Sequence, residues 1–310
     1  MQVFIAGGTG LIGRHLVERL CSEGHHCLVL TRNVERGRAR LPDERVQLVE
    51  GDPTVPGAWT EHLRGTDAVV HLAGANIFAR RWSSTYKEEI RRSRVESTKV
   101  LAEAITQQDN RPRVFVQGSA VGYYGPRGDE ELTEESPPGD DFLAHVCVEW
   151  EGASRSLEEH GVRRVIVRTG VVLAREEGAL PTMLRPIRLF VGGPVGKGDQ
   201  WVSWIHIDDI VGIFRHALVR SAISGVFNGT APNPVRNREL VRTIGRLLGR
   251  PTAFKAPWFA LRLALGEVAD MLCTGQRVLP KRTLESGYEF LYPTLEPALR
   301  HLLEISSAQS

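Results

Sequence analysis

Several things are scarce in this chain of 310 residues, and each scarcity narrows its chemistry. There are four cysteines, Cys21, Cys27, Cys147 and Cys273, and none falls in a C-x-x-C pair. A chain of this size needs no disulfide staples, so the thiols read as reduced packing residues in a cytoplasmic setting. The ten histidines show neither H-x-x-x-H nor Cys/His ligand spacing, so no metal site is expected. No stretch approaches the roughly 20 apolar residues of a membrane span, and the opening run MQVFIAGG is too short for a signal peptide. Basic residues number 39 and acidic residues 37, a net charge of +2. That balance makes no electrostatic case for nucleic acid or a membrane as the main partner. No internal repeat or low-complexity segment is visible. What remains, 42% hydrophobic and 25% charged, is the composition of an ordinary globular protein of one large or two ordinary domains.

The first half alternates two patterns. Short apolar runs at Val3–Ala6, Cys27–Leu30, Val46–Val49, Ala68–Leu72, Val114–Gln117 and Val165–Val167 predict strands. Helical spacing intervenes at Leu11, Ile12, Leu16, Val17 and Leu20, from about Tyr86 to Gln107, and from about Asp140 to Glu159. The apolar runs are continuous rather than alternating, as in a parallel sheet covered on both faces. The expected class is therefore α/β, a Rossmann-type doubly wound parallel sheet. After about Leu173, Gly and Pro punctuate 178–198. WVSWIHIDDI reads as a strand entering a helix, with Asp208 or Asp209 as its cap. GVFNG (225–229) reads as another strand, and helical patterns follow at 237–248, 257–272 and 295–304. The expected organisation is a nucleotide-binding domain over 1–172 that takes back about 206–229. A smaller, mostly helical substrate-side region occupies 173–205 and 230–305, with a frayed tail at 306–310.

AGGTGLIGRHL (6–16) carries the most chemistry. Gly7 permits a tight turn, Gly10 lets backbone approach a pyrophosphate, and Gly13 allows close packing as a helix begins. Thr9, Leu11 and Ile12 belong to the same cradle, at a helix N-terminus that supplies N–H donors. The strand–turn–helix context makes this a dinucleotide fingerprint. NAD readers carry an acid at the end of the second strand; here the residues are Thr31 and Arg32, followed by Asn33. A guanidinium suits a 2′-phosphate, and the cofactor expected is NADP(H). Arg32 as a mere solvated charge is the plainer alternative. Asp52 reads equally as an adenine contact and as a turn residue. In HLAGAN (71–76), the small residues Ala73 and Gly74 after Leu72 allow a strand end to approach the cofactor.

Together GGTGLIG, HLAGAN, GSAVGYYG and WIHIDDI resemble the extended short-chain dehydrogenase/reductase superfamily. ANIFARRWSSTYKEEIRRSRVESTKVLAEAI, RTGVVL and the stretch from APWF to GQRVLPKRTLESGYEF resemble, more narrowly, the epimerase family of SDR39U1-like proteins. That resemblance covers nearly the whole chain. It implies NADP(H) contacts at the glycine loop, at Thr31 and Arg32, at Leu72 and Ala73, at Glu89 and Arg94 on the long helix, and at Val172. It implies an oxidoreductase or epimerase acting on a small carbonyl or sugar-derived substrate, and a homodimer as the candidate assembly. Bacterial members also carry a cell-division label, and the alternative is a catalytically impaired NADP(H)-binding regulatory or cell-division-associated protein. Arg94 departs from the wider superfamily, which has Asn nearby.

The superfamily works with a Ser or Thr, a tyrosinate base, and a lysine four residues on that lowers the tyrosine pKa. Ser119 stands in QGSAVGYYG. The pattern Tyr-x3-Lys-x3-Glu, however, maps onto Leu143, Cys147 and Glu151. Leucine does not titrate and cysteine has no cationic form. The replacements within reach are Tyr123 and Tyr124, which otherwise pack the pocket. His145 reads as a solvent-facing helix residue, and Cys147 lacks an evident activating cation. His206 is a further candidate. Arg185, Arg188, Lys197 and Arg282 are cations suited to an anionic substrate, with nothing in the sequence to gather them.

Overall fold

The computed structural model describes residues 1–254 and 256–305. Its first half runs β1 (Gln2–Ala6), α1 (Leu11–Ser22), β2 (His26–Thr31), α2 (Val34–Arg40), β3 (Val46–Glu50), β4 (Ala68–His71), α3 (Ser84–Thr106), β5 (Val114–Ala120), β6 (Glu131–Leu132), α4 (Phe142–Gly152), α5 (Ser156–Glu159) and β7 (Arg163–Thr169). The second half runs β8 (Val171–Leu173), α6 (Ala179–Arg188), β9 (Trp201–Val202), β10 (Trp204–His206), α7 (Ile207–Val219), β11 (Gly225–Gly229), β12 (Val235–Arg236), α8 (Asn237–Leu248), α9 (Trp258–Leu265), α10 (Val268–Cys273), β13 (Arg277–Val278), α11 (Lys281–Glu285) and α12 (Leu295–Leu302).

Seven strands form one sheet in the order β11-β7-β5-β4-β1-β2-β3. Every pairing in it is parallel. The order reverses between β1 and β4, the switch point whose carboxyl ends open a crevice in doubly wound folds. Alternate residues of each strand reach opposite faces. Val3, Ile5 and Val29 enter the apolar layer that includes α1, α7 and α8. Phe4, Leu28 and Leu30 enter the layer that includes α3 and Trp59. Burial on both faces explains why these strands read as continuous apolar runs. β11, from beyond the first half of the chain, is the edge strand beside β7.

Three local readings change. The helix expected to reach Glu159 is broken after Gly152, and α5 starts at Ser156. Between them the buried Ser154 hydroxyl donates to Gln117 on β5 at 2.5 Å, a tertiary partner that a helix pattern does not reveal. The expected helix over 257–272 divides into α9 and α10 at Gly266, whose φ of +68° ends the first one. α6 forms within the Gly/Pro-punctuated segment, with Pro186 accommodated in its last turn. The tail at 306–310 lies outside the described residues.

Candidate functional site

The glycine loop crosses the switch point. Gly7 has φ +87°, and a Cβ there would fall 2.5 Å from the Ala73 backbone nitrogen, so the loop lies against the end of β4. A Cβ on Gly13 would fall 2.3 Å from the Gly7 carbonyl oxygen. The close packing that Gly13 permits is thus of α1 onto its own loop, rather than onto the sheet. Gly10 caps α1 without any side-chain hydrogen bond. The first-turn amides, those of Leu11, Ile12 and Gly13, are left for an anion, which is how such helix ends bind phosphate. Arg40 donates to the Thr9 carbonyl at 2.9 Å and braces the loop.

At the end of β2 the Thr31 hydroxyl donates to the Asn33 carbonyl, at 3.1 Å, and accepts from the Asn33 amide, at 3.3 Å. Asn33 in turn caps α2 by accepting from Arg36 N–H. Thr31 therefore shapes the turn that presents Arg32, whose side chain is exposed. Arg38 donates instead to the carbonyls of Leu41, Asp43 and Val46 and is a strut. Asp52 takes the turn role: Oδ1 accepts from both Thr54 N and Thr54 Oγ1, at 2.8 and 2.7 Å.

Arg94 turns inward from α3. Its guanidinium donates to the carbonyls of Ile90 and Ala75, lies 5.3 Å from the Trp150 ring centroid, and comes close enough to Gly74 to leave a Cβ only 3.1 Å. It is a fixed cation at the strand end beside Leu72, Ala73 and Gly74, and burial lowers its pKa. Glu89 is exposed and pairs with Arg80 at 3.7 Å. Val172 lies on β8, paired with Ile205 of β10.

Ser119 sits at the end of β5, 4% exposed. Its hydroxyl donates to Glu151 Oε1 at 2.7 Å. Glu151 also accepts a two-pronged bond from Arg168, both contacts 2.8 Å. Arg168 donates onward to the Tyr124 hydroxyl at 3.0 Å, and that hydroxyl donates to Asn228 Oδ1 at 2.7 Å. This is a continuous chain of bonds, charge-assisted from Ser119 as far as Tyr124. It explains why the acid of the family pattern persists while its tyrosine and lysine do not: Glu151 is the counter-ion of buried Arg168. Because a carboxylate only accepts, Ser119 spends its proton on Glu151 and offers lone pairs to a ligand.

Tyr124 as a proton donor needs correction. Its ring is fully buried, its hydroxyl is committed at both ends, and burial pushes its pKa up to about 12. Tyr123 is only partly buried, and its ring centre lies 3.3 Å from the Arg168 guanidinium carbon. Leu143 holds the turn that carries Tyr123, since its Cβ would lie 3.4 Å from a Cβ on Gly122. Cys147 is buried, and burial raises its thiol to about 12, so it is protonated at neutral pH. His145 is exposed, as a helix-surface residue.

His206 lies elsewhere. It lines a cavity between α1, α7 and α12 whose walls include none of Ser119, Tyr123, Leu143 or Val172. It, rather than Asp208 or Asp209, caps α7, its Nδ1 accepting the Asp208 N–H at 3.0 Å. Asp209 is buried and accepts from the amides of Leu291 and Tyr292, pinning that segment. Among the described residues, His206, Asp208 and His301 bring potential metal-ligand atoms within 4.8 Å. With Nδ1 accepting, a neutral His206 carries its proton on Nε2, which points at His301 Nδ1 3.1 Å away. Neither ring nitrogen of His206 then has a lone pair to give a metal without loss of the cap. Of the cations named for an anionic substrate, Arg282 is spent on the carbonyls of Val226 and Ser224, while Arg185, Arg188 and Lys197 are exposed.

A parallel sheet with a glycine loop and an uncapped helix at its switch point defines a dinucleotide-binding α/β protein. Residues 3–228 match the NAD dependent epimerase/dehydratase family, and the chain belongs to that family. Residues 256–302 match a domain of unknown function, DUF1731. Among curated proteins, the epimerase family protein SDR39U1 homolog, chloroplastic, of Arabidopsis thaliana is 41% identical, covering 98% of this chain and 87% of the relative. The epimerase family protein YfhF of Bacillus subtilis is 39% identical, covering 98% of each. The crystal structure of human epimerase family protein SDR39U1 with NADPH superposes with a TM-score of 0.87 at 38% identity, covering 99% of this chain and 100% of that one. No described helix is long and apolar enough to cross a membrane.

Proposed function

We propose that the chain is an NADP(H)-dependent oxidoreductase or epimerase acting on a small carbonyl or sugar-derived substrate. The observation that carries this reading is the open cradle at α1 together with exposed Arg32 at an acid-free end of β2. The human relative crystallised with NADPH supports the same cofactor. A bound nicotinamide would supply the hydride; the chain supplies binding and orientation. The first-turn amides of α1 receive the pyrophosphate, and Arg32 forks onto the 2′-phosphate. Leu72, Ala73, Gly74 and Val172 border the cofactor, with Thr31 shaping its adenosine end and Glu89 at the outer edge. Arg94 provides a fixed positive charge near the place that Cys147 leaves neutral. Ser119 accepts a hydrogen bond from a substrate hydroxyl, and Tyr123 is the group offered to its oxygen. In this reading residues 1–172 and 206–229 hold the cofactor and the remainder forms the substrate side.

The second reading is a cofactor-binding regulator, and Leu143 and Cys147 favour it. Thermal denaturation separates the parts. NADPH raises the midpoint more than NADH, and Arg32→Ala brings the two responses together. Consumption of NADPH across a carbonyl panel, cut about 100-fold or more by Tyr123→Phe with the thermal response intact, supports the enzyme. Binding without any consumption supports the regulator.

A further inference from the structure

Two segments far apart in sequence, whose backbones meet, each place apolar side chains in solvent. After α6, Leu189, Phe190 and Val191 project outward. Beyond α8, Phe254 leads into α9, which exposes Phe259 and Leu263; these six are 48–79% exposed. The segments are joined by backbone. The Ala256 amide donates to the Pro194 carbonyl at 3.1 Å and the Gly196 amide to the Ala256 carbonyl at 2.9 Å. A Cβ on Gly193 would fall 1.9 Å from the Phe254 carbonyl oxygen, so no side chain intervenes there. Phe190 has φ +62°, a left-handed conformation that an aromatic residue rarely adopts and that usually belongs to glycine after a helix. Its amide bonds back to Ile187, and the ring is left half exposed.

The rim is cationic. Arg185 and Arg188 stand on the last turn of α6, the Arg250 guanidinium lies 4.2 Å from the Phe190 ring centre, and Arg262 is on α9. Among the described residues, Asp270 alone of the carboxylates pairs with this group, reaching Arg262 at 3.7 Å, and it is shared with the Trp258 indole N–H. The whole-chain charge of +2 conceals this local excess. Projecting aromatic and aliphatic tips bordered at the α6 end by Arg185, Arg188 and Arg250, which have no carboxylate partner among the described residues, match the interfacial layer of an anionic bilayer, where apolar groups enter the acyl boundary and guanidiniums meet phosphate.

We propose that this surface, from Leu189–Val191 across Phe254 to Phe259 and Leu263, docks the protein peripherally on an anionic membrane. The test uses the full chain and flotation with two kinds of vesicle: phosphatidylcholine alone, and phosphatidylcholine with phosphatidylglycerol. The second kind should carry the protein upward, and raised salt should release it. The double variant Phe259→Glu/Leu263→Glu should bind at least about tenfold more weakly. Its melting midpoint and NADPH response should stay at wild-type values, which excludes misfolding. Arg188→Glu/Arg250→Glu should abolish the preference for phosphatidylglycerol. No binding to either vesicle overturns the proposal, as does equal binding to both. A wild-type dimer in sedimentation that Phe259→Glu/Leu263→Glu dissociates would assign the surface to a second copy and overturn it too.

Discussion

The two ends of the crevice are built on opposite plans. At the glycine loop the backbone does the work: α1 starts without a side-chain cap, and the groups that can bind an anion are amides left unspent. At Ser119 the side chains do the work and are already spent on one another, from Ser119 through Glu151 and Arg168 to Tyr124 and Asn228. An open end is made to receive charge; a closed end holds charge of its own. The cofactor end of the crevice can therefore keep its open amides while the Ser119 end is organised around an internal ion pair.

Substitutions can break this contrast. Arg168→Met should give the largest effect, because it strands Glu151 beneath Ser119: a loss of about 3–5 kcal/mol in urea denaturation. Undiminished stability would mean that the network is not the keystone of that end. Gly13→Ala should cost about 1–3 kcal/mol through overpacking against the Gly7 carbonyl and should also erase the thermal response to NADPH, which Arg168→Met should leave in place. Variants that exchanged these phenotypes would collapse the distinction between the two ends.

The smallest effect is graded by pH. Burial lowers the pKa of His71, on β4, and of His206 to about 3. Above their ordinary value near 6.5, both rings are neutral folded and unfolded, and neither adds pH dependence. Below it the unfolded chain binds protons that the folded one refuses. Stability should then fall by about 1.4 kcal/mol per pH unit for each histidine until the folded value is approached. His206→Asn keeps a capping acceptor and should remove one of the two contributions, read as a shallower loss of denaturation midpoint between neutral pH and about pH 5.

The sheet was legible because its strands are apolar on both faces, and the glycine loop because its spacing is dictated by backbone approach. The absence of Tyr and Lys at Leu143 and Cys147 was equally plain. What replaced them was not. Glu151 stands in the family pattern, but Arg168 and Asn228 lie 17 and 77 positions beyond it, and no local pattern announces that β7 and β11 join them to the Glu151 that α4 holds against Ser119. The one local signal at Arg168 is a charge that directly follows the apolar run Val165–Val167. His206 as the cap of α7 was missed because adjacent aspartates are the better-known capping residues, and Asp209 turned inward to hold the segment at Tyr292.

Asn228 has a consequence for how the chain can be cut. The epimerase match ends at this residue and the next begins at 256, which invites a division between them. Yet the Asn228 amide N–H donates to Glu134, its side chain donates to the Leu279 carbonyl, and its own carbonyl accepts from Thr283. The strand at the sheet's edge is sewn to the C-terminal segment along its length. A fragment ending at the boundary would expose that seam, because the two matched regions pack as one body.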